Sequence, residues 1–343
     1  MAQRVTLDDI AREAGVSKNT VSVVLRGKSG VGQAMRDKIL ELAEKMQYSR
    51  QPQSGSVRKY LLVLFDSSIG SYVKNSYSMG LIPRLWFQLQ TKAQQLGCMV
   101  MPYMLSHSMI ENGVLPEPLD DLGFASIVSF GRVEPSYLNL LHAKGYHVVT
   151  IHEYASGVPV DSVTSNDSYA GYVMTEHLIS MGHTDIEFMG EKYYMAKYMD
   201  RWFGYCRAMA EHGLPIRANA YSEARVTFQT DEGERAMLTK VLNEMETLPT
   251  GIVCGEDFTA MRIRRCLEPM GIRCPEDISL VGFDDVYPSN NEECITTFRA
   301  DHEAIIDSVM NLVLHPEHKP ERIVVFGQPV YRNSVKKIGK QQP

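Results

Sequence analysis

The sequence contains no apolar run long enough to cross a membrane. The longest run is about Leu61 to Phe65, whereas a membrane-spanning helix needs ~18 to 20 apolar residues. The N-terminus also lacks the apolar core of a secretory signal, because Asp8 and Asp9 stand where that core would lie. These absences predict a cytoplasmic protein with no membrane segment.

Sequence patterns for binding a metal ion are also missing. The six cysteines form no Cys-x-x-Cys pair, and no His spacing suits a zinc finger. In a reducing cytosol, we interpret these cysteines as packing residues. His142, His147 and His152 recur every five residues, which places them on no common face of a helix or a strand. The sequence therefore predicts no metal site and no cofactor.

The motifs of common enzyme classes are absent as well. Gly27-Lys28-Ser29 resembles the end of a phosphate-binding loop, but Ser22 stands where the first glycine belongs and no strand precedes it. No Gly-x-Gly-x-x-Gly opens a helix, and no Gly-x-Ser-x-Gly is present. We therefore predict that the protein is not an enzyme, and an enzyme remains the least favoured alternative.

The sequence has the composition of a folded protein with an uneven charge distribution. Its 343 residues are 44% hydrophobic and 22% charged, as in ordinary chains of two or three domains. Residues 1–59 contain 11 Lys and Arg against 6 Asp and Glu, a net charge of +5, whereas the remainder has a net charge of −11. A compact basic head attracts the phosphates of nucleic acid. On charge alone, a solvated basic face is an equally open interpretation.

Three short helices are predicted in the head, residues 1–48. An [ST]-x-x-[DE] start signal opens at Thr6, and Gly15 suits the end of the first helix. Ser17 can cap the second helix after a short turn, and the third is predicted from about Gln33 to Met46. The apolar residues of each helix fall on one face: Leu7, Ile10, Ala11 and Ala14; Val21, Val24 and Leu25; Met35, Ile39, Leu42 and Met46. This pattern is typical of a helix-turn-helix bundle.

The second helix of such a bundle enters the major groove of DNA with its N-terminal end at the base edges. There Lys18 can donate to guanine and Asn19 can pair with adenine, while Thr20 or Ser22 can bind phosphate. The predicted DNA-binding residues are Thr6, Ser17, Lys18, Asn19, Thr20, Ser22 and Arg26. The alternative is that these are ordinary exposed polar residues.

A linker is predicted to follow the head. Residues 49–59 combine Pro52, Gly55 and three serines without a helical apolar period, which is typical of a domain boundary. We therefore divide the chain into a head at 1–48, a linker at 49–59 and a body at 60–343.

Short apolar runs alternate with helical patterns throughout the body. Strands are predicted at 60–65, 98–103, 126–130 and 147–151, and then near 163 and at 186–189, 224–228, 251–254 and 278–283. Helices are predicted at 80–96, 135–144, 168–181, 200–212, 231–246 and 257–270. This alternation predicts doubly wound parallel sheets, and roughly ten strands are too many for one compact unit. We therefore expect an α/β body of two lobes with a cleft between them.

The head and the body both resemble one known family. Val5-Thr-Leu-x-Asp-Ile-Ala-x-x-Ala-Gly-Val-Ser-x-x-Thr-Val-Ser22 is similar to the N-terminal signature of the lactose-repressor family of bacterial transcription regulators. Asp161-Ser-Val-x-Ser-Asn-Asp, Arg201-x-x-Gly204 and Gly282-Phe-Asp-Asp285 then follow in the order of that family's effector-binding core, which is like a periplasmic sugar-binding protein. The chain departs from the family at Val23, where many members have Arg, and in the linker, which lacks the hinge-helix Leu.

The resemblance implies a transcription regulator, with a repressor favoured, whose small polar effector binds in the cleft and is a sugar or a related metabolite. The family's chain crosses between lobes three times, so we assign 60–161 and 297–322 to lobe one, and 162–290 and 323–343 to lobe two. Two DNA-binding heads imply a homodimer on a pseudo-palindromic operator. A tetramer is not expected, because no leucine heptads follow Val330-Tyr-Arg-Asn-Ser-Val335.

Residues that follow the strands of parallel sheets are the candidates for effector binding. Arg201 offers a fork of donors, and Asp284 can accept from two adjacent hydroxyls. The alternatives are a salt bridge for Arg201 and a turn or cap for Asp284. Glu256 stands where the family often has Asn, which changes the ligand that would fit. The weaker candidates are Phe130, His152, Ser67, Ser68 and Trp202, of which the last is more often a core residue.

One alternative function has the same body. A cytoplasmic small-molecule-binding protein with only non-specific affinity for DNA is also compatible with the altered linker and with Val23. Base-specific effects of Lys18 and Asn19 on DNA binding would distinguish a regulator from this alternative.

Overall fold

The computed structural model describes residues 7–25, 31–46, 59–66, 81–121, 124–154, 157–217, 219–223, 231–286 and 294–339. The chain forms two compact units, Met1–Val57 and Arg58–Pro343. The predicted strand at 224–228 and nearly all of the predicted linker lie outside the described residues. No helix in the described ranges is both long and apolar enough to span a membrane.

The first unit contains the three helices that the apolar spacing predicts. They are α1 (Leu7–Ala14), α2 (Lys18–Leu25) and α3 (Gln33–Lys45). One apolar residue from each helix is fully buried in the centre: Ile10, Val21 and Ile39. Gly15 has a φ of +72° after α1, which glycine adopts without strain. The backbone N–H of Thr20 donates to Ser17 Oγ at 3.1 Å, so the predicted cap of α2 is confirmed.

The second unit contains two sheets. Its strands are β1 (Lys59–Asp66), β2 (Cys98–Leu105), β3 (Phe124–Phe130), β4 (Val148–Ile151), β5 (Asp161–Ser165), β6 (Ile186–Met189), β7 (Gly251–Cys254), β8 (Ser279–Phe283), β9 (Thr296–Arg299), β10 (Arg322–Val325) and β11 (Gln328–Val330). The sheet of lobe one has the order β10-β5-β4-β3-β1-β2 and is parallel throughout. The sheet of lobe two has the order β11-β9-β8-β7-β6, in which only the pair of β11 with β9 is antiparallel. The predicted architecture of two parallel-sheet lobes is confirmed.

Helices cover both faces of each sheet. They are α4 (Leu81–Gln95), α5 (His107–Asn112), α6 (Pro118–Asp121), α7 (Pro135–Ala143), α8 (Asp167–Ser180), α9 (Ala196–Glu211), α10 (Ala220–Glu223), α11 (Asp231–Glu244), α12 (Asp257–Leu267) and α13 (His302–Leu314), with a 3-10 turn at Glu268–Met270. Alternate residues of β1 show the two faces, since Leu61 and Val63 pack with α4 and α13, whereas Leu62 and Leu64 pack with α7. In lobe two, α8 and α9 cover one face, and α11 and α12 cover the other.

The chain passes between the lobes at three places, each a few residues later than predicted. β5 pairs with β4 and β10, so it belongs to the sheet of lobe one, and assigning residues from 162 onward to lobe two was wrong. Likewise, β9 lies in the sheet of lobe two and β10 in that of lobe one. A buried strand has the same apolar pattern in either sheet, and only its hydrogen-bonded neighbours show which sheet it joins. The N–H of Asn166 donates to Val325 O at 2.9 Å and so links the first and third crossings.

Gly171 and Gly204 allow α8 and α9 to pack with their backbones in contact. A Cβ added to Gly171 would lie 2.1 Å from the carbonyl oxygen of Arg201, and one added to Gly204 would lie 2.1 Å from that of Ser168. Larger side chains at these positions would force the helices apart. The close packing brings Arg201 on α9 beside Asp167 at the start of α8.

The strand β2 lies at the outer edge of the sheet of lobe one, where it pairs with β1. It contains Pro102, whose backbone has no N–H, and proline is tolerated at an edge far better than in a central strand. Met99 and Met104 of the same strand are 44% and 52% exposed. In the single chain, this edge therefore forms part of the protein surface.

Candidate functional site

The carboxyl ends of the strands of both sheets border one cleft of about 810 Å³, part of which is open to solvent. Lobe one contributes Phe130 at the end of β3 and His152 after β4. Lobe two contributes Glu256 after β7 and Asp284 after β8. The structure thus brings together four of the residues that the sequence selects for effector binding.

Arg201 lies behind this lining and is 2% exposed. Its Nε donates to Asp167 Oδ1 at 2.7 Å, and its two terminal nitrogens donate to Gly255 O at 2.7 Å and to Asp284 Oδ1 at 2.6 Å. The guanidinium is therefore bonded to protein acceptors through all three nitrogens. The salt-bridge alternative for Arg201 is the arrangement observed, and direct effector contact by Arg201 is not supported.

Asp284 is a buried anion at the cleft, where its second carboxylate oxygen accepts from Lys197 Nζ at 3.2 Å. Burial alone raises the pKa of Asp284, but the positive charges of Arg201 and Lys197 outweigh burial and hold this pKa below its usual value. Sequence reasoning missed Lys197. It lies four residues before Arg201 on α9, and this spacing, which places both cations on one helix face, is the signal that could have found it.

His152 and His302 are buried histidines whose ring nitrogens have no hydrogen-bond partner among the described residues. Their ring centroids lie 5.8 Å apart. Burial lowers the pKa of both, with His302 at about 4 and His152 well below its usual value, which the charge of Lys197 lowers further. Both rings are neutral near pH 7, so each has one N–H to donate and one lone pair to accept. His152 lines the cleft, and both of its ring nitrogens are buried.

The remaining lining combines one more acid with an apolar wall. Glu256 Oε2 accepts from the hydroxyl of Tyr198 at 2.7 Å, which fixes the carboxylate. The apolar side chains include Leu81, Ile82, Leu85, Phe130 and Phe258. A ligand with a polar edge and an apolar face matches this lining.

Further polar contacts join the two lobes outside the cleft. Asp200 on α9 accepts from Tyr154 Oη at 3.0 Å and from Arg322 at 3.1 Å, and Arg322 lies 3.6 Å above the ring of Tyr154. The carboxylate of Glu153 accepts from the N–H groups of Ala196 at 3.3 Å and of Tyr154 at 3.1 Å. Lobe one therefore holds the N-terminal part of α9, the helix that provides the cations of the site.

We expect Glu153→Gln to remove part of the pH dependence of stability. Burial raises the pKa of Glu153 from 4.5 to about 7, although backbone N–H groups bond to it. The folded protein therefore retains a proton that the unfolded chain releases in this range. Protonation of Glu153 therefore contributes fully to the free energy of unfolding below pH 4.5. This contribution is lost as the pH rises through 7, and the total loss is on the order of 3 kcal/mol. Urea unfolding of wild type and variant at a series of pH values measures the difference.

Glu134→Gln is the control for this experiment. Glu134 is also a lobe-one glutamate, but it is exposed and pairs with Arg132 at 3.2 Å. Its replacement leaves the pH profile unchanged. Parallel profiles of wild type and Glu153→Gln would contradict the assignment of a raised pKa to Glu153.

The remaining candidates for effector binding are Trp202, Ser67 and Ser68. The ring centroid of Trp202 lies 5.3 Å from that of Phe188 and 5.2 Å from that of Tyr205, in the core of lobe two. Stacking of Trp202 on an effector is therefore not supported, because its position in α9 directs the ring to the sheet instead. Ser67 and Ser68 lie outside the described residues.

The first unit presents part of the predicted DNA-binding set. Lys18 is exposed at the first residue of α2, and Ser22 is half-buried one turn later. Ser17 and Thr20 are joined through their hydroxyls at 2.8 Å, so both support the start of this helix. Asn19 lies in α2, but its side chain is outside the described part of the chain, as are Thr6 and Arg26.

Two family models match the chain. Residues 6–51 match the family described as "Bacterial regulatory proteins, lacI family". Residues 175–335 match a "Periplasmic binding protein-like domain". The "Probable HTH-type transcriptional repressor ExuR" of Bacillus subtilis (strain 168) is 25% identical over 344 residues, which cover 97% of this chain and 99% of the relative. The name of that relative describes a transcription regulator and not an enzyme.

Solved structures share the fold over nearly the whole chain. The transcriptional regulator CelR in complex with cellobiose has a TM-score of 0.66 at 20% identity, covering 96% of this chain and 100% of that one. The Lac repressor dimer bound to operator and the anti-inducer ONPF has a TM-score of 0.63 at 19% identity, covering 97% and 100%. The solved structures share the fold, and the match of residues 6–51 shows that the chain has the N-terminal domain of the family described as "Bacterial regulatory proteins, lacI family" and is a DNA-binding transcription regulator.

Proposed function

We propose that this regulator is a repressor that binds a pseudo-palindromic operator as a homodimer and responds to a neutral, hydroxylated metabolite, such as a sugar, in the cleft. The observation that supports it most directly is the position of His152. This buried and neutral ring, whose nitrogens have no hydrogen-bond partner in the described part of the chain, lines the same cleft as the carboxylate of Asp284. A polyhydroxy ligand satisfies both, because one hydroxyl can donate to Asp284 while it accepts from His152, and a second hydroxyl can donate to the lone pair of the ring.

The charge of the lining supports a neutral ligand. Among the described residues, the charged side chains that line the cleft are two cations and two anions: Arg132, Lys197, Glu256 and Asp284. Asp284 is already bonded to Lys197 and Arg201, and Arg132 to Glu134. An anionic sugar acid or sugar phosphate would find no excess positive charge there, so its desolvation would not be compensated. The apolar wall with Phe258 instead suits the face of a sugar ring.

The head and the solved relatives support the other half of the proposal. Lys18 stands at the N-terminal end of α2, where a helix-turn-helix protein reads base edges. The structure of the Lac repressor shows a dimer bound to its operator, and the CelR complex contains cellobiose. By analogy, two copies of this chain place two heads on half-sites about one helical turn apart.

The test is the selection of bound sequences from a random duplex pool by the full chain. We expect enrichment of a palindrome of ~14 to 20 base pairs. Neutral sugars, sugar acids and sugar phosphates are then screened for compounds that change the affinity for that operator. A response to neutral sugars alone supports the ligand class, and a response to sugar phosphates alone contradicts it. Weak, salt-sensitive binding without a motif would favour the alternative, a ligand-binding protein with only non-specific affinity for DNA.

Lys18→Ala tests the reading of bases. We expect operator affinity to fall by about 1 to 3 kcal/mol and the preference at one base pair to relax, because a side-chain contact to a base edge is lost. Repeating the selection with the variant measures both effects.

The control is Lys45→Ala, which removes an equal charge from the exposed end of α3. It lowers affinity for all sequences to a similar degree, if at all, and leaves the base preference intact. An unchanged motif for Lys18→Ala would exclude a base contact by Lys18.

A further inference from the structure

A cluster of two histidines and an aspartate lies at the amino ends of β4, β5 and β10, far from the cleft. His147 immediately precedes β4, Asp161 is the first residue of β5, and His318 lies in the connection from α13 to β10. These three strands are neighbours and parallel, so their amino ends meet at one edge of the sheet. The cleft lies at the opposite, carboxyl ends of the strands.

The two imidazoles converge on a single carboxylate oxygen. Nε2 of His147 lies 2.6 Å from Asp161 Oδ2, and Nε2 of His318 lies 3.0 Å from the same atom. All three ligand atoms lie within 4.8 Å of one another. Asp161 is buried, whereas the side chains of His147 and His318 are 17% and 25% exposed, so an ion in solution can reach the nitrogens.

The outer atoms of all three side chains are held by further bonds. Nδ1 of His318 lies 2.7 Å from the carbonyl oxygen of His315, and Nδ1 of His147 lies 2.6 Å from Ser126 Oγ. The second oxygen of Asp161 accepts from the N–H of Glu321 at 2.8 Å. Histidines that bind metals are oriented in this way, with the ring nitrogen away from the metal bonded to a carbonyl, a carboxylate or water.

These bonds constrain the protons of the cluster. A carbonyl oxygen only accepts, so Nδ1 of His318 must carry the hydrogen. In the neutral ring, Nε2 then directs a lone pair at the carboxylate of Asp161, which is repulsive unless a cation lies between them. A second proton on His318, at Nε2, would remove the repulsion between this nitrogen and Asp161 Oδ2 only. A metal ion would satisfy Asp161 and both rings at once.

We propose that His147, Asp161 and His318 bind a divalent transition-metal ion, for which zinc is the best match. Two imidazole nitrogens and one carboxylate oxygen suit zinc and exclude the all-oxygen sets of calcium and magnesium. Zinc binds such atoms at ~2.0 to 2.2 Å, which places tetrahedral ligands about 3.3 Å apart. To reach this spacing, the distances of 2.6 and 3.0 Å from Asp161 Oδ2 to the two ring nitrogens need to lengthen by about 0.7 and 0.3 Å. Water supplies the fourth ligand. The bound ion joins the connection before β10 to β4 and β5.

This site was not found in the sequence, which predicts no metal site. His147 was considered there only with His142 and His152, but His142 is exposed on α7 and His152 lies at the cleft. The actual neighbours of His147 come from 14 and 171 residues further along the chain.

The experiment uses the full chain without a histidine tag, stripped with a chelator and dialysed against zinc. We expect one zinc ion per chain, a four-coordinate spectrum when cobalt replaces zinc, and a higher Tm with zinc because the ion binds the folded state. His147→Asn and His318→Asn each weaken zinc binding by tenfold or more, roughly the minimum expected for loss of a ligand. His212→Asn is the control, since His212 pairs with Glu176 at 2.8 Å and this pair has no third metal-binding group among the residues that the structure describes.

Two results would overturn the proposal. One is the lack of saturable zinc binding by the wild type. The other is binding of equal strength by His318→Asn, which would place the ion elsewhere. In either case the cluster is an ion pair only. Circular dichroism of His318→Asn distinguishes a loss of zinc binding from a loss of folding. We expect a folded variant, because His318 lies in a partly exposed connection.

Discussion

Replacing Arg201 by Met is expected to lower the free energy of unfolding by about 3 to 5 kcal/mol. The guanidinium is the shared partner of Asp167 and Asp284, and its removal leaves both carboxylates buried without their main counter-charge. The carbonyl of Gly255 also loses its donor. Methionine retains much of the apolar stem, so the change reports the charge rather than a cavity. Urea unfolding of the full chain measures the effect.

Arg207→Met is the matched control on the same helix. Arg207 bonds to Glu211 one turn later at 2.8 Å, but both side chains are exposed, so solvent replaces the lost interaction. This variant is expected to unfold nearly as the wild type does. Equal stability of the two variants would contradict the role given to Arg201.

The destabilisation by Arg201→Met also has a characteristic pH dependence. Without the guanidinium, the buried carboxylates of Asp167 and Asp284 bind protons more readily in the folded protein than in the unfolded chain. The variant therefore gains stability relative to wild type as the pH falls. A packing defect would give a difference that does not change with pH.

Asp284→Asn is expected to weaken effector binding by about 100-fold. A carboxylate accepts from two hydroxyls, and bonds to a charged acceptor contribute about 1.5 to 3 kcal/mol each, of which the amide retains only part. The variant should still bind operator, since the residue lies in the second unit and the head in the first. Calorimetric titration with the sugar found in the screen measures the loss, and operator binding in its presence measures the response.

Asp285→Asn separates ligand contact from folding. Asp285 is the next residue in the same turn and is equally buried in ion pairs, with Arg299 at 2.6 Å and Arg332 at 2.5 Å. It is not part of the cleft lining. We expect a similar loss of stability with effector affinity retained. A loss of affinity in Asp285→Asn as large as that in Asp284→Asn would show that Asp284 acts through the turn rather than through the ligand.

Much of the fold follows from periodic patterns along the chain. The strands of residues 60–65 and 251–254 are continuous apolar runs because helices cover both faces of their sheets, and such runs are recognised without a structure. The head is equally clear, since Gly15 and Ser17 end and cap its helices. The sheet to which each strand belongs could not be predicted in this way. β5 was assigned to the wrong lobe because hydrogen bonding to β4 and β10 depends on residues distant in the chain.

The candidate site was predictable only in part, for the same reason. A position after a strand is visible in the sequence, which is why His152, Glu256 and Asp284 were found. Whether a side chain faces the cleft or the core depends on packing, which the sequence does not show. Asp284 lines the cleft, whereas Trp202 packs in the core of lobe two. The strand β9, which precedes His302, was not predicted from the sequence. The contact of the His302 ring with His152 was therefore not predicted either.

The edge strand β2 has a consequence for the solution behaviour of the protein. An exposed edge of a parallel sheet can pair with the same edge of another molecule and begin aggregation. Pro102 cannot donate a backbone bond in such a pairing, so continuation of the sheet from one copy to another is interrupted at that residue. The exposed side chains of Met99 and Met104 on this strand then favour association through side-chain packing instead. Replacement of Pro102 by a β-branched residue removes this protection against fibrous assembly.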